Sequence, residues 1–202
     1  MRENPMTDEK MLVLKKMHLA PYMQIATVLI CKTRHGGGNM FRHQLDTMAT
    51  LIDYGYVDSV LIKASVVHDV LEDVLDFNHN ALLSLDFESH AVYELVREVT
   101  RTSTEEKHEF LIRVFQHGSW NAKVLKVADR ISNMVSLGFV SNRAFIRRYC
   151  DETERYVFPI AEVVDKEMLK ELQRLVISRR KHLALEERVE ADKVYTDSAD
   201  FL

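Results

Sequence analysis

The sequence predicts an all-α protein, a single bundle of about eight to ten helices. Turn-forming residues are scarce, because six glycines and three prolines make up roughly 4% of the 202 residues, against about 12% in average usage. Nine methionines and abundant Leu, Val, Lys and Glu favour helices throughout the chain. This length buries a sizeable core and suits one domain, which we place at residues 1–190.

The spacing of apolar residues predicts where the helices lie. The predicted segments are 7–17, 19–34, 41–54, 58–76, 87–100, 104–117, 120–136, 142–165 and 166–190. Pro159 lies inside one of them and should kink it or split it in two. Residues 191–202 lack periodicity and are expected to form a frayed tail.

Polar and acidic residues mark three of the predicted helix starts. Thr7 and Asp8 form a cap for the first helix, and Asp58 opens the fourth just after Gly55. The segment 104–107 places two acids in the first turn of a further helix, where their negative charge interacts favourably with the helix dipole.

Composition and charge exclude several classes of protein. A net charge of −4 with 47% hydrophobic residues argues against disorder and against the broad basic field that nucleic-acid binding needs. No apolar run approaches the ~18 residues of a membrane span, and the charged N-terminus is unlike a signal peptide. Cys31 and Cys150 are expected to be reduced thiols, so we predict a cytoplasmic protein. The sequence leaves the oligomeric state open.

The segment predicted as a helix over 58–76 is the most informative. It is apolar almost all round, and such helices are normally buried. Its polar stripe consists of Ser65, His68, Asp69, Glu72 and Asp76. Isolated buried charges are very costly, so these groups need internal partners, and a metal ion is one. The alternative interpretation is a solvated stripe on an edge helix, with His68 a hydrogen-bonded core histidine.

Two other segments add candidate metal ligands. A glycine loop leads to His43 at the start of the next helix, and Asp129 lies in an apolar helix with Asn133 on the same face. The candidate ligands are two imidazoles and two carboxylates: His43, His68, Asp69 and Asp129. This donor set suits a divalent metal with positions left for water and substrate. It allows Mn, Fe, Co or Zn and does not choose among them.

The order of these four residues resembles the H…HD…D signature of the HD metal-dependent phosphohydrolases. The sequence is most similar to the hydrolase domain of the RelA/SpoT family, which includes small stand-alone alarmone hydrolases. Residues 34–43 have the spacing of that family's R-x-S-G-x-P-Y-x-x-H, and residues 64–73 resemble A-A-L-L-H-D-V-V-E-D. Residues 126–134 resemble K-L-A-D-R-L-x-N-M, and residues 152–161 resemble E-T-x-x-x-Y-x-P-L-A. The similarity extends over residues 20–165.

The chain departs from the family pattern at a few positions. Gln44 stands where the family usually has proline after the first histidine, and His35 replaces a common basic residue. Asn39 and Met40 replace Pro-Tyr, and Val74 replaces the Thr that follows Glu-Asp.

The resemblance implies a Mn²⁺ ion held by His43, His68, Asp69 and Asp129. Such an ion lowers the pKa of a bound water and polarises a phosphoryl oxygen. Glu72 and Asp73 follow the His-Asp pair by one turn and are expected to orient or deprotonate that water. Their alternative role is that of solvated carboxylates at a helix end.

The resemblance also implies a nucleotide site. Arg34 is expected to stack on the purine base, and Asn133 and Tyr156 to contact the nucleotide. His35, Lys126 and Arg130 are weaker candidates for phosphate contact. The expected reaction is hydrolysis of guanosine tetra- or pentaphosphate at the 3′ position, giving pyrophosphate and GDP or GTP. Two alternatives remain: another HD nucleotidase, such as a deoxynucleotide phosphohydrolase, and a degenerate, non-catalytic sensing domain.

Overall fold

The structure, a computed structural model, describes residues 6–199 and the side chains of residues 6–189. Within that range the chain is helical and has no β-strand beyond an isolated bridge between Thr33 and Asn39. The predicted all-α class is therefore confirmed. In the same range, no helix combines the length and apolarity needed to cross a membrane.

The helices follow one another along the chain with short connections. Their bounds are α1 (Asp8–Lys16), α2 (Ala20–Ala26), α3 (Met40–Asp53), α4 (Ser59–Val67), α5 (Val70–Asp73), α6 (His79–Leu83), α7 (Ser89–Val99), α8 (Lys107–His117), α9 (Trp120–Ser136), α10 (Arg143–Glu152), α11 (Phe158–Val164) and α12 (Lys166–Ala199). Two 3₁₀ segments and one π-helical segment continue these helices: Thr27–Cys31, Leu137–Phe139 and Thr153–Val157.

Helix α4 lies at the centre of the core. Its residues 61–67 are all buried, and it packs against α2, α3 and α7. Helix α9 packs against α3, α7 and α12. Full burial of a Leu or Ile side chain contributes about 1.5–3 kcal/mol, so the buried residues of α4 stabilise the bundle substantially. The prediction that the apolar helix following Asp58 is internal is confirmed for these residues.

The predicted 58–76 helix is interrupted at its two most interesting residues. Helix α4 ends at Val67, His68 and Asp69 form a turn, and α5 begins at Val70. The Ser65 carbonyl, which would accept from the Asp69 backbone N–H in a continuous helix, instead accepts from His68 Nδ1. The Asp69 N–H turns to the side chain of Gln44 on α3. These tertiary contacts override the helical pattern.

Pro159 splits the predicted 142–165 helix, as expected. Helix α10 ends at Glu152, a π-helical turn follows, and α11 begins with the proline in its first turn, where proline's missing N–H costs nothing. The predicted 19–34 helix is also shorter, because its α-helical part ends at Ala26.

The predicted caps are found at two helix starts. Thr7 Oγ1 accepts from the Lys10 N–H, and Asp58 Oδ1 accepts from the Leu61 N–H. Helix α8 begins later than predicted, because Glu106 and Glu109 form a reciprocal capping box. Helix α6, which spans five residues, was not predicted, because a segment of that length is too short for apolar periodicity.

The last helix continues to Ala199, beyond its predicted end at residue 190. Residues 200–202 lie outside the described residues. The frayed tail at 191–202 and the single domain at 1–190 stay predictions.

Candidate active site

Four side chains from α3, the turn between α4 and α5, and α9 converge on one point. His43 Nε2 lies 3.0 Å from Asp129 Oδ1 and 3.6 Å from Asp69 Oδ2. His68 Nε2 lies 3.3 Å from the same Asp69 oxygen and 3.8 Å from the same Asp129 oxygen. Neighbouring ligand atoms about 2.1 Å from one ion stand roughly 3.0–3.4 Å apart in octahedral or tetrahedral geometry. Among the described residues, His43, His68 and Asp69 offer ligand atoms that all lie within 4.8 Å of one another, close enough to hold one divalent ion. Asp129 contacts both histidines but lies outside that group, and its role as a fourth ligand stays a prediction.

The two histidines present their Nε2 atoms to this point. His68 Nδ1 donates to the Ser65 carbonyl at 2.8 Å, and His43 Nδ1 lies 2.9 Å from Ser132 Oγ. Metal-binding histidines usually bond a protein oxygen through their other ring nitrogen in this way. His68 Nε2 is buried and has no hydrogen-bond partner. A buried lone pair facing two carboxylates fits a cation ligand.

The two carboxylates are themselves held in place. Lys126 Nζ lies 2.7 Å from Asp129 Oδ2, and the Asn133 side-chain amide donates to Asp129 Oδ1. Gln44 Nε2 donates to Asp69 Oδ2 at 2.8 Å. These bonds fix the orientation of both acids before any ion binds.

The electrostatics of the site favour positive charge. Burial raises the pKa of Asp129, but the Lys126 charge and the His43 imidazole outweigh it and hold that pKa well below its usual range. Burial lowers the pKa of His68, but Asp69 and Asp129 raise it overall to about 9. Since 3.8 Å is too long for a hydrogen bond between His68 and Asp129, the charge of the carboxylates is the main cause.

A cleft of about 300 Å³ opens beside these residues. Its walls include Arg34, His35, Asp73, Asn133 and Tyr149. Arg34 Nη2 donates to Asn133 Oδ1 at 2.6 Å, and Asn133 in turn contacts Asp129, so the cleft borders the metal ligands. A larger cavity of about 530 Å³ lies across the glycine loop and also includes Arg34. Of the two, the smaller cleft is the one that Asp73 and Asn133 line.

The conformation of the loop at residues 36–38 accounts for its three glycines. Gly37 and Gly38 have φ values of 82° and 73°, a region that L-residues with a side chain rarely adopt. A Cβ at Gly36 would lie 2.6 Å from the Ser136 carbonyl oxygen. The three glycines therefore let the loop turn tightly against α9, which places Arg34 and His35 at the cleft.

The two acids predicted to handle the water have different partners. Asp73 forms an ion pair with Lys32 and lines the cleft. Glu72 accepts from the Arg101 backbone N–H at 3.3 Å and lies 3.5 Å from the Arg101 Nε. The structure thus places Asp73 on the wall of the cleft and Glu72 against the loop between α7 and α8.

Comparison with solved structures shows the fold. A metazoan orthologue of SpoT, which hydrolyses ppGpp and plays a role in starvation responses, superposes with a TM-score of 0.64. The match covers 79% of this chain and 96% of that chain, at 21% sequence identity. The chain has the fold of a SpoT-type hydrolase domain.

Sequence comparison gives a relative of the same kind. The probable guanosine-3′,5′-bis(diphosphate) 3′-pyrophosphohydrolase of Mycoplasma genitalium is 29% identical over 122 residues. The aligned region covers 53% of this chain and 16% of that protein, so the chain matches only a small part of its relative. No protein-family model matches the chain.

Within this SpoT-type fold, the predicted substrate residues divide into two groups. Arg34, His35 and Asn133 line the cleft. Lys126 instead pairs with Asp129, and the Tyr156 ring lies 6.3 Å from the ring of His108. Contact of either residue with substrate stays a prediction.

The sequence did not reveal several residues of the site. Ser132 is three residues after Asp129 on α9, and that spacing is a signal that places it on the ligand face. Gln44 was noted only as a departure from the family pattern, and its side chain holds Asp69. Tyr149 gave no signal; it lines the cleft, and the Arg130 guanidinium lies 4.2 Å from the centre of its ring.

Proposed function

We propose that the chain is a Mn²⁺-dependent hydrolase of the 3′-pyrophosphate of guanosine tetra- or pentaphosphate. The products are pyrophosphate and GDP or GTP. The observation that carries the proposal is the unpartnered, buried Nε2 of His68, which faces two carboxylates beside a cleft that contains Arg34. The SpoT-type fold and the M. genitalium relative support the same activity.

The metal site consists of the four converging side chains. His43, His68, Asp69 and Asp129 would hold the ion through two nitrogens and two oxygens. A bound divalent ion supplies Lewis-acid charge, which polarises a phosphoryl group and favours ionisation of water. The donor set accepts Mn, Fe, Co or Zn, and the preference for Mn rests on the family resemblance.

The cleft residues would bind and orient the nucleotide. The planar Arg34 guanidinium is held by Asn133 and offers its face to a purine base. His35 and Asn133 lie within the same cleft, and we assign them contacts to the nucleotide. Lys126 and Tyr156 are assigned the same role on the family pattern alone.

The acids of α5 would manage the proton. Water attacks the phosphorus attached to the ribose 3′-oxygen, the P–O bond to that oxygen breaks, and the 3′-oxygen takes up a proton. Asp73 lines the cleft and is positioned to accept the proton of the attacking water, with Lys32 as its counter-charge. Glu72, the neighbouring acid, is proposed to assist.

A substrate panel tests the proposal and its two alternatives. Purified protein with Mn²⁺ is given guanosine and adenosine alarmones, ribonucleotides and deoxynucleotides, with Asp129→Asn as the inactive control. We expect pyrophosphate release from the 3′-substituted guanosine nucleotides. Preferred turnover of deoxynucleotides supports the alternative nucleotidase. Binding without any turnover supports a sensing domain.

A cytoplasmic location stays a prediction from the sequence.

A further inference from the structure

Gln44 is a buried polar residue next to a proposed metal ligand. It lies on α3 directly after His43 and has no exposed surface. A buried amide that lacks hydrogen-bond partners destabilises the folded state, so its contacts matter to the fold. Both ends of this amide are satisfied by a single residue, Asp69.

The two contacts fix the orientation of the amide. Gln44 Nε2 donates to Asp69 Oδ2 at 2.8 Å, and Gln44 Oε1 accepts from the Asp69 backbone N–H at 3.4 Å. An ionised carboxylate only accepts hydrogen bonds and a backbone N–H only donates, so the reverse orientation of the amide would leave both mismatched. Gln44 therefore holds the backbone and the side chain of Asp69 together.

The oxygen that Gln44 contacts is the one that faces the histidines. Asp69 Oδ2 lies 3.3 Å from His68 Nε2 and 3.6 Å from His43 Nε2. Asp69 also sits in the turn between α4 and α5, where no continuous helix holds it. Its carboxylate thus depends on side-chain contacts for its direction.

We propose that Gln44 is a positioning residue that sets the orientation of Asp69 and thereby the metal affinity of the site. The inference rests on the proposed metal centre. The family pattern usually has proline at this position, and proline has no side-chain donor, so the family pattern does not supply this bond. Groups that hydrogen-bond metal ligands typically change metal affinity by about 10–100-fold when they are removed.

Metal binding to two variants tests this role. Gln44→Met keeps the length and burial of the side chain but removes both hydrogen bonds. The matched control is Thr47→Val, because Thr47 is equally buried one turn along α3 and its hydroxyl donates to the backbone carbonyl of His43, not to a side chain that would hold the ion. Mn²⁺ dissociation constants are measured by competition with a fluorescent chelator, and the visible spectrum of the Co²⁺-loaded protein reports the ligand geometry.

We expect Gln44→Met to bind Mn²⁺ about 10–100-fold more weakly and to change the Co²⁺ spectrum, with Thr47→Val unchanged in both. If Gln44→Met does not fold, Gln44→Asn replaces it, because its amide is one methylene too short to reach Asp69 and should weaken binding similarly. An affinity within threefold of wild type in the folded variant overturns the proposal. So does an equal loss in Thr47→Val.

The test separates this inference from the proposed function. It needs no nucleotide, so wild-type protein that binds Mn²⁺ but hydrolyses no alarmone contradicts the function alone. Wild-type protein that binds no divalent metal contradicts the metal centre and, with it, the role of Gln44. Unaltered affinity in the variant, with normal hydrolysis by the wild type, contradicts only the role of Gln44.

Discussion

Arg34 Nη2 donates a hydrogen bond to Asn133 Oδ1 at 2.6 Å, although the two residues are 99 positions apart in the sequence. The amide of Asn133 donates in turn to Asp129. One asparagine therefore joins the residue proposed to bind the base with a proposed metal ligand. Substrate binding and metal binding should influence each other through it.

This link predicts that Arg34 and Asn133 act together. Arg34→Ala should mainly raise KM, by the equivalent of about 1–3 kcal/mol, because the stacking surface is lost. Asn133→Ala should raise KM as well and weaken metal binding. In a double-mutant cycle on kcat/KM, the coupling should be about 0.5–3 kcal/mol. Strictly additive effects would show that the hydrogen bond has no functional consequence.

Glu72 and Asp73 should affect chemistry more than binding. Asp73→Asn keeps the shape of the side chain but removes the base, so kcat should fall by ~10²–10⁴-fold while metal content changes little. Glu72→Gln should behave similarly if the two acids act as a unit, and the double variant should then cost far less than the sum of the single variants. Metal content is measured by elemental analysis. Loss of the ion from Glu72→Gln would instead identify Glu72 as a ligand.

Removal of the metal should destabilise the protein. The converging acids and the free His68 nitrogen bind a cation only in the folded state, so Mn²⁺ at 100 times its Kd should stabilise the fold by about 2.7 kcal/mol. Thermal unfolding with EDTA and with Mn²⁺ measures the difference. The variant His68→Gln should show no such shift. Identical Tm values for the wild type under both conditions would remove the structural case for the site.

An ion pair of the buried Lys63, outside the lining of the cleft, should control acid stability. Lys63 Nζ lies 2.6 Å from Asp86 Oδ2, and Tyr22 donates to the other oxygen of Asp86. Lys63→Met leaves the half-buried carboxylates of Asp86 and Glu88 without their cation and should cost about 1–3 kcal/mol at pH 7. Lys170→Met is the control, because Lys170 forms an exposed pair with Glu167 and should change stability by less than about 0.5 kcal/mol.

The Lys63–Asp86 pair also predicts how the stability of the protein changes with pH. Burial raises the pKa of Asp86, but hydrogen bonds from Lys63 and Tyr22 outweigh it and hold the pKa below its usual value. Stability from a depressed carboxyl pKa is present above the unfolded pKa and is lost as the pH falls through the folded pKa. The difference in free energy of unfolding between wild type and Lys63→Met, measured in urea, should therefore become smaller below about pH 4. A difference that stays constant down to pH 3 would show that the lowered pKa of Asp86 is not its cause.

The sequence pointed to the candidate ligands because they lie in local patterns. His68 and Asp69 stand out as polar residues in an apolar helix, and Asp129 does so in α9, so the burial of His68 and Asp129 could be inferred without coordinates. The longer helices α3, α7 and α9 could likewise be predicted, because the spacing of their apolar residues is a local pattern. Their convergence, however, was inferred from the family resemblance and required the structure for its distances.

The remaining features depend on contacts that periodicity does not encode. The break between α4 and α5 arises because a histidine side chain and a glutamine from another helix take the backbone groups of that turn. Gln44 looked like a mere departure from a family pattern, and only its distance to Asp69 shows a role. Likewise, Glu72 and Asp73 are adjacent in sequence, yet one contacts Arg101 and the other Lys32.

Product analysis in ¹⁸O-labelled water tests the central claim most directly. Metal-loaded protein is incubated with guanosine tetraphosphate, and the products are identified by ³¹P NMR and mass spectrometry. Water attack at the phosphorus on the 3′-oxygen predicts GDP without label and pyrophosphate carrying one ¹⁸O, with neither formed by Asp129→Asn. Release of orthophosphate in place of pyrophosphate, or no turnover by protein with its metal site filled, would contradict the account.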